Sequence, residues 1–131
     1  MEKLTSWDAL KNYREKTCGQ TSLLCVGEQD ANRVVLAVGE ATCGVAAGAK
    51  KIADTLQEEI DRLGLKNASI IATGCFGYCY AEPMVEVRMP GKPSVYYGYL
   101  TEEAARDIVV KHLVHGQLVE NNVLPVEVNI P

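Results

Sequence analysis

The strongest constraint on the fold is an amphipathic helical segment that lies between two short apolar runs. The first run, RVVLAV at positions 33–38, is compact and rich in β-branched residues, which is typical of a buried strand. Residues 49–63 then place apolar side chains on one helical face, and Gly64 follows as a C-terminal cap. The second run, ASIIAT at positions 68–73, predicts another strand. A crossover of this length predicts a parallel strand pair with a right-handed connection.

The flanking segments complete the predicted order of elements. Residues 5–16 carry apolar side chains at helical spacing and predict a short N-terminal helix. After Pro83, the runs MVEVRM and SVYYGYL predict two antiparallel strands, and Thr101 caps a last helix that Gly116 ends. The order α, β-α-β, β-β-α predicts an α/β, thioredoxin-like fold: a mixed four-stranded sheet with an extra N-terminal helix.

Composition narrows the class of protein. A chain of 131 residues suits one domain, and its net charge of −4 argues against a nucleic-acid partner. No apolar run approaches the roughly 20 residues of a membrane span, and the N-terminal residues lack the apolar core of a signal peptide. We therefore expect a soluble, cytoplasmic protein. Stable disulfides are uncommon in that compartment, so the five cysteines indicate metal binding, redox chemistry or core packing.

Three of the cysteines are expected to meet at one edge of the sheet. Cys43 follows the first strand, and Cys75 and Cys79 follow the second. Parallel strands end at the same edge, so the three thiols should converge there. Glycine-rich loops and a helix N-terminus favour an anion at this position, and a metal or cluster would explain the crowding of thiolates. The alternative is that these cysteines are small buried side chains, which is the interpretation we give to Cys18 and Cys25.

Two motifs carry a resemblance to a known family. ATCGVAAGA and TGCFGYCYAEPMVEV resemble the thioredoxin-like [2Fe-2S] ferredoxin family over residues 33–116. That family includes the small iron–sulfur subunit of respiratory NADH dehydrogenase and the small ferredoxin-domain subunit of NADP-reducing hydrogenases. The resemblance implies a [2Fe-2S] cluster with four cysteine ligands, of which Cys43, Cys75 and Cys79 match the second, third and fourth. The first would fall near Val38, and valine cannot ligate iron.

The sequence therefore leaves several candidates for the fourth ligand. Cys25 or Cys18 could fold back to supply a thiolate. A partner subunit, or a non-cysteine ligand such as Glu40, could instead complete the site. A third alternative is a protein that retains the three cysteines as a scaffold without a cluster.

The cysteines allow two other chemistries, and Pro83 allows two peptide-bond geometries. Cys75 and Cys79 could form a reversible disulfide, although the thioredoxin C-x-x-C motif would follow the first strand. A zinc site of three cysteines and a histidine is a weaker alternative, because the two histidines, at 112 and 115, lie near the end of the last helix. By resemblance, the Glu82–Pro83 bond could be cis, and an ordinary trans bond is the alternative.

The functional expectation follows from the resemblance. It implies an electron-transfer accessory subunit of a multi-subunit NAD(P)-linked hydrogenase or NADH-dehydrogenase-like complex. Its partners would be a flavoprotein and other iron–sulfur subunits, and the chain itself lacks a dinucleotide-binding fingerprint. The alternative is a cluster-free structural or docking subunit of such a complex. We expect an N-terminal helix and loop at 1–32, a thioredoxin-like ferredoxin domain at 33–116 and a C-terminal tail at 117–131.

Overall fold

The computed structural model describes residues 5–18 and 32–125, apart from the side chains of 14 and 16–18, and divides the chain into the compact units Met1–Asp30 and Ala31–Pro131. In the first unit, helix α1 spans Trp7–Cys18, close to the predicted 5–16. Ser6 caps its N-terminus, because the Ser6 Oγ accepts a hydrogen bond of 3.2 Å from the Ala9 amide.

The second unit is built on a four-stranded mixed sheet. Its strands are β1 (Val34–Gly39), β2 (Ala68–Thr73), β3 (Val85–Arg88) and β4 (Val95–Tyr97). Their order across the sheet is β2-β1-β3-β4. Strand β1 pairs parallel with β2 and antiparallel with β3, and β3 pairs antiparallel with β4. This arrangement confirms the mixed sheet and the parallel β-α-β unit that the sequence predicts.

The helices differ from the predicted ones at one place. The segment between β1 and β2 forms two helices: α3 (Ala49–Leu63) covers the predicted residues 49–63, and a separate short helix, α2 (Thr42–Ala46), precedes it. The chain breaks between them because Gly48 adopts a φ of 94°, which does not continue a right-handed helix. Gly64, with φ 64°, ends α3 as predicted.

The C-terminal helix begins at the predicted cap. The Thr101 Oγ1 accepts a hydrogen bond of 3.2 Å from the Ala104 amide at the start of α4 (Glu102–Asp107). The helix continues with π-helical geometry over Ile108–Val114 and ends before Gly116, whose φ is 72°. None of the described helices combines the length and apolar character that crossing a bilayer requires.

The core lies between the sheet and these helices. All six residues of β1 are buried, and Leu36 and Val38 have no exposed surface. Leu56 of α3 and Ile108 of the C-terminal helix pack in the same apolar cluster. Val38, the position where the family pattern would put a ligand, is therefore a core residue. Burial of such side chains contributes on the order of 1.5–3 kcal/mol each.

The edge at which β1 and β2 end also receives the start of β3. The Gly39 amide donates to the Met84 carbonyl at 3.1 Å, and the Glu40 amide donates to the Thr73 carbonyl at 2.9 Å. Three loops therefore meet at this edge: the one after β1, the one after β2 and the one that leads into β3.

At the C-terminal end, Val119 is buried and Val123 forms a β-bridge with Tyr97. The three-part division of the chain predicted from the sequence stays a prediction.

Candidate metal centre

The three cysteines expected to converge lie together at this sheet edge. Their Sγ atoms form a near-equilateral triangle, with 3.6 Å between Cys43 and Cys75, 3.4 Å between Cys75 and Cys79, and 3.5 Å between Cys79 and Cys43. All three are free thiols; Cys43 is half-buried, and the other two are exposed. The predicted convergence is confirmed, while the role of these residues as ligands stays a prediction.

Each thiol is positioned by local backbone structure. Cys43 is the second residue of α2, directly after the loop that leaves β1. Cys79 begins a short 3-10 helix, Cys79–Ala81. Between Cys75 and Cys79, Gly77 adopts a φ of 85°, and its amide donates a hydrogen bond of 3.2 Å to the Cys75 Sγ. The glycine therefore both turns the loop and holds one sulfur in place.

The thiols perturb one another electrostatically. The Gly77 amide, followed by the neighbouring thiols, holds the pKa of Cys75 below its ordinary value. Hydrogen bonding with Cys75 and Cys43, together with their negative charge, raises the pKa of Cys79 to about 11. Three thiolates this close repel one another, and a bound cation would relieve that repulsion.

A carboxylate that the sequence analysis did not single out lies beside the triangle. The Oε1 of Glu82 is 3.8 Å from the Cys43 Sγ, and its Oε2 accepts a hydrogen bond of 2.9 Å from the Met84 amide. Glu82 is half-buried and directly precedes the buried Pro83. The signal that could have found it is topological: β3 runs antiparallel to β1, so the residues before β3 lie at the edge where β1 ends.

Two glycines make room for this carboxylate. A Cβ atom built on Gly39 would lie 3.3 Å from the Glu82 Oε1, and one built on Gly44 would lie 3.3 Å from the Oε2. The Gly44 position is tighter still, because its Cβ would also lie 2.0 Å from the Gly39 carbonyl oxygen. These glycines therefore allow α2 to approach the end of β1 closely.

The other candidate ligands are placed differently or lie outside the described residues. Within the described ranges, the group of mutually close donors contains the three cysteines and excludes every carboxylate, Glu40 and Glu82 among them, and both histidines. His112 is buried and its Nδ1 lies 2.9 Å from the Tyr97 hydroxyl, so the zinc alternative gains no support. Cys25 and the side chain of Cys18 lie outside the described residues. The Glu82–Pro83 bond is cis, which confirms the expectation from the resemblance.

An aromatic surface borders the cysteine loop. The rings of Tyr80 and Tyr99 lie 6.4 Å apart and are 70% and 56% exposed. Tyr78 contacts Tyr80 edge to face at 6.1 Å. We call Tyr78, Tyr80 and Tyr99 the tyrosine patch. Tyr78 is half-buried, and the two exposed rings are of the residue type that is enriched at protein interfaces.

Similarity to known proteins agrees with this geometry. No family model matches the chain. The NADP-reducing hydrogenase subunit HndB of Solidesulfovibrio fructosivorans is 37% identical over 94 residues, which cover 72% of this chain and 74% of the relative. The chain belongs to the thioredoxin-like [2Fe-2S] ferredoxin family.

Other members of the family extend the comparison. A 2Fe-2S ferredoxin of Clostridium pasteurianum is 35% identical over 71 residues, covering 53% of this chain and 67% of the ferredoxin. The structure of a thioredoxin-like [2Fe-2S] ferredoxin from Aquifex aeolicus matches with a TM-score of 0.63 at 22% identity, covering 76% of this chain and 99% of the ferredoxin. This structural likeness confirms the thioredoxin-like fold that the order of elements predicts.

Proposed function

We propose that this thioredoxin-like ferredoxin holds a [2Fe-2S] cluster through Cys43, Cys75 and Cys79 and transfers electrons one at a time. It would do so as an accessory subunit of a multi-subunit NAD(P)-linked oxidoreductase, of the hydrogenase or NADH-dehydrogenase type. The single observation that carries the proposal is the triangle of three Sγ atoms within 3.4–3.6 Å of one another, built from two separate loops.

The donor set fits the chemistry of such a cluster. Iron–sulfur clusters are held by cysteine thiolates, and three of the four needed donors meet at this sheet edge. A fourth donor is required, and Val38 cannot supply it because it is buried in β1. When bound, a [2Fe-2S] cluster accepts and releases one electron.

The chain's own residues would shape the surroundings of the cluster. The Gly77 amide donates to the Cys75 sulfur, and hydrogen bonds of this kind tune the reduction potential of a cluster. Phe76 packs edge to face on Tyr96 with ring centroids 5.7 Å apart, which keeps an apolar wall beside the cysteine loop. Cys75 and Cys79 are exposed, so the site lies at the surface, where an electron donor or acceptor can approach.

The partners in this proposal are a flavoprotein and other iron–sulfur subunits. Support comes from the relative HndB, which is named as a subunit of an NADP-reducing hydrogenase. The tyrosine patch adjoins the cysteine loop and offers the contact surface for such a partner. The cytoplasmic location expected from the sequence stays a prediction.

The proposal is tested on protein purified anaerobically, either as isolated with its partners or after reconstitution with iron and sulfide. We expect visible charge-transfer absorption, together with equimolar iron and acid-labile sulfide. Changing Cys43, Cys75 or Cys79 to serine should remove most of both. Thr42→Ser, an exposed neighbour of Cys43, is the matched control and should leave both unchanged.

The second candidate is a cluster-free docking subunit, which the exposed tyrosine patch favours. The same experiment separates the two functions. Absence of iron and sulfide from protein isolated with its partners would remove the electron-transfer proposal and leave docking through the patch as the function.

A further inference from the structure

We propose that the carboxylate of Glu82 is the fourth ligand of the metal centre and completes the set begun by Cys43, Cys75 and Cys79. This inference rests on the proposed function and deepens it, because it names the donor that the family's cysteine pattern lacks in this chain. It is carried by three features of the described structure: the distance to Cys43, the anchoring of the carboxylate and the space reserved for it.

The distance between Glu82 and Cys43 suits two ligands of one metal ion. Their Oε1 and Sγ atoms lie 3.8 Å apart. With a metal–sulfur bond of about 2.3 Å and a metal–oxygen bond of about 2.1 Å at a tetrahedral angle, two such donors lie about 3.6 Å apart. Carboxylate oxygens are established iron ligands, so the donor type is also suitable.

The carboxylate is anchored with one oxygen turned toward the cysteines. The Met84 amide donates to Oε2 at 2.9 Å, which leaves Oε1 directed at Cys43. Among the described residues, the Cys43 thiol is the hydrogen-bond partner of Oε1. Since Met84 also pairs with Gly39 of β1, the anchor is part of the sheet and does not depend on a loose surface side chain.

The space around the carboxylate is kept open by glycines on two elements. Cβ atoms on Gly39 and Gly44 would each approach a Glu82 oxygen to 3.3 Å, closer than most real Cβ contacts. In the described part of the chain, neither acid belongs to the group of mutually close donors, which contains the three cysteines alone. Glu82 nonetheless lies 3.8 Å from the Cys43 sulfur, whereas Glu40, the acidic residue that the sequence suggested, is exposed. The structure thus favours Glu82 over Glu40 as the non-cysteine donor.

The test compares variants of position 82 in the full chain after anaerobic reconstitution with iron and sulfide. Glu82→Gln keeps an oxygen that can accept from the Met84 amide, and Glu82→Ala removes the donor altogether. We expect both variants to lose most of the iron, the visible absorption and the electron paramagnetic resonance signal of the reduced protein. Glu40→Gln is the matched control, because it makes the same chemical change at an exposed acid just after β1. It should retain the iron, the visible absorption and the resonance signal.

Glu82→Cys keeps the inference testable where the other variants fail to fold. A thiolate at position 82 should restore iron content and shift the absorption and resonance spectra away from those of the wild type, because the first coordination sphere changes. Folding of each variant is checked by circular dichroism before reconstitution.

The outcomes distinguish this inference from the function on which it rests. A wild type that binds no iron or sulfide overturns the proposed function, and the inference with it. A wild type that binds the cluster, with Glu82→Gln and Glu82→Ala unchanged in iron content and spectra, overturns the inference alone. In that case loss of the cluster in Cys18→Ser or Cys25→Ser would assign the fourth position to a cysteine. A Glu82→Cys spectrum identical to that of the wild type would also count against Glu82 as a ligand.

Discussion

The sulfur atoms of Cys43 and Cys75 lie 3.6 Å apart although 32 residues separate them in the chain. The parallel pairing of β1 and β2 brings them together, since Gly39 at the end of one strand lies opposite Thr73 at the end of the other. Cys43 follows the first strand and Cys75 the second. The chemistry of the site therefore follows directly from the topology of the sheet.

Close approach of α2 to β1 should make Gly44 intolerant of a side chain. Its Cβ would lie 2.0 Å from the Gly39 carbonyl oxygen, so backbone must move in Gly44→Ala. We expect the free energy of unfolding to fall by about 1–3 kcal/mol, the usual cost of overpacking, in a urea titration. Gly74→Ala is the control, because nothing lies within 4 Å of its added Cβ. Equal stability of the two variants would refute this interpretation of the glycine.

Stability should depend on pH through His112. Burial of the imidazole, with added repulsion from Lys92, lowers the pKa of His112 in the folded state. The neutral form is therefore favoured by folding. Its contribution is complete above the unfolded pKa of about 6.5 and is lost as pH falls from there through the lowered folded value.

The measurement is the free energy of unfolding by urea between about pH 7.5 and 5.5, where one histidine contributes a slope of at most about 1.4 kcal/mol per pH unit. We expect the wild type to lose stability toward acid and His112→Gln to show a smaller slope. His115→Gln, at an exposed histidine three residues further on, should keep the slope of the wild type. A slope that persists in His112→Gln would assign the effect to another group.

The tyrosine patch should contribute to partner binding without affecting the metal site. Replacing Tyr80 and Tyr99 with alanine removes two exposed rings beside the cysteine loop. We expect the dissociation constant for the native partner complex, measured by titration, to rise about tenfold or more, while the iron content stays unchanged. Leu118→Ala, which truncates another exposed apolar side chain, should bind like the wild type. Undiminished binding of the double variant would place the docking surface elsewhere.

Much of the fold could be predicted because local signals agree with the tertiary structure. The apolar run of β1 is buried on both faces, as its continuous pattern indicates. Gly64 and Thr101 mark the end of α3 and the start of α4 because backbone conformation and capping act locally. The position of the three cysteines followed from topology alone, since parallel strands share an edge.

The break between α2 and α3 and the role of Glu82 were harder to predict. Glycine is tolerated inside helices, so Gly48 alone does not mark a helix boundary in the sequence, and its φ of 94° is seen only in the structure. In the sequence, nothing distinguishes Glu82 from an ordinary acidic residue before a proline. Its proximity to Cys43, 39 residues away, depends on a hydrogen bond from the Met84 amide that holds the side chain near the cysteines. Such a contact leaves no periodic pattern in the sequence.

The central claim is that two loops at one sheet edge hold a two-iron cluster. The most direct measurement is the number of unpaired spins per iron in anaerobically purified protein after chemical reduction. A [2Fe-2S] centre predicts about one unpaired spin for every two iron atoms, with equal amounts of iron and sulfide, and loss of the signal in Cys75→Ser. Protein isolated with its partners that contains neither iron nor sulfide would contradict the account.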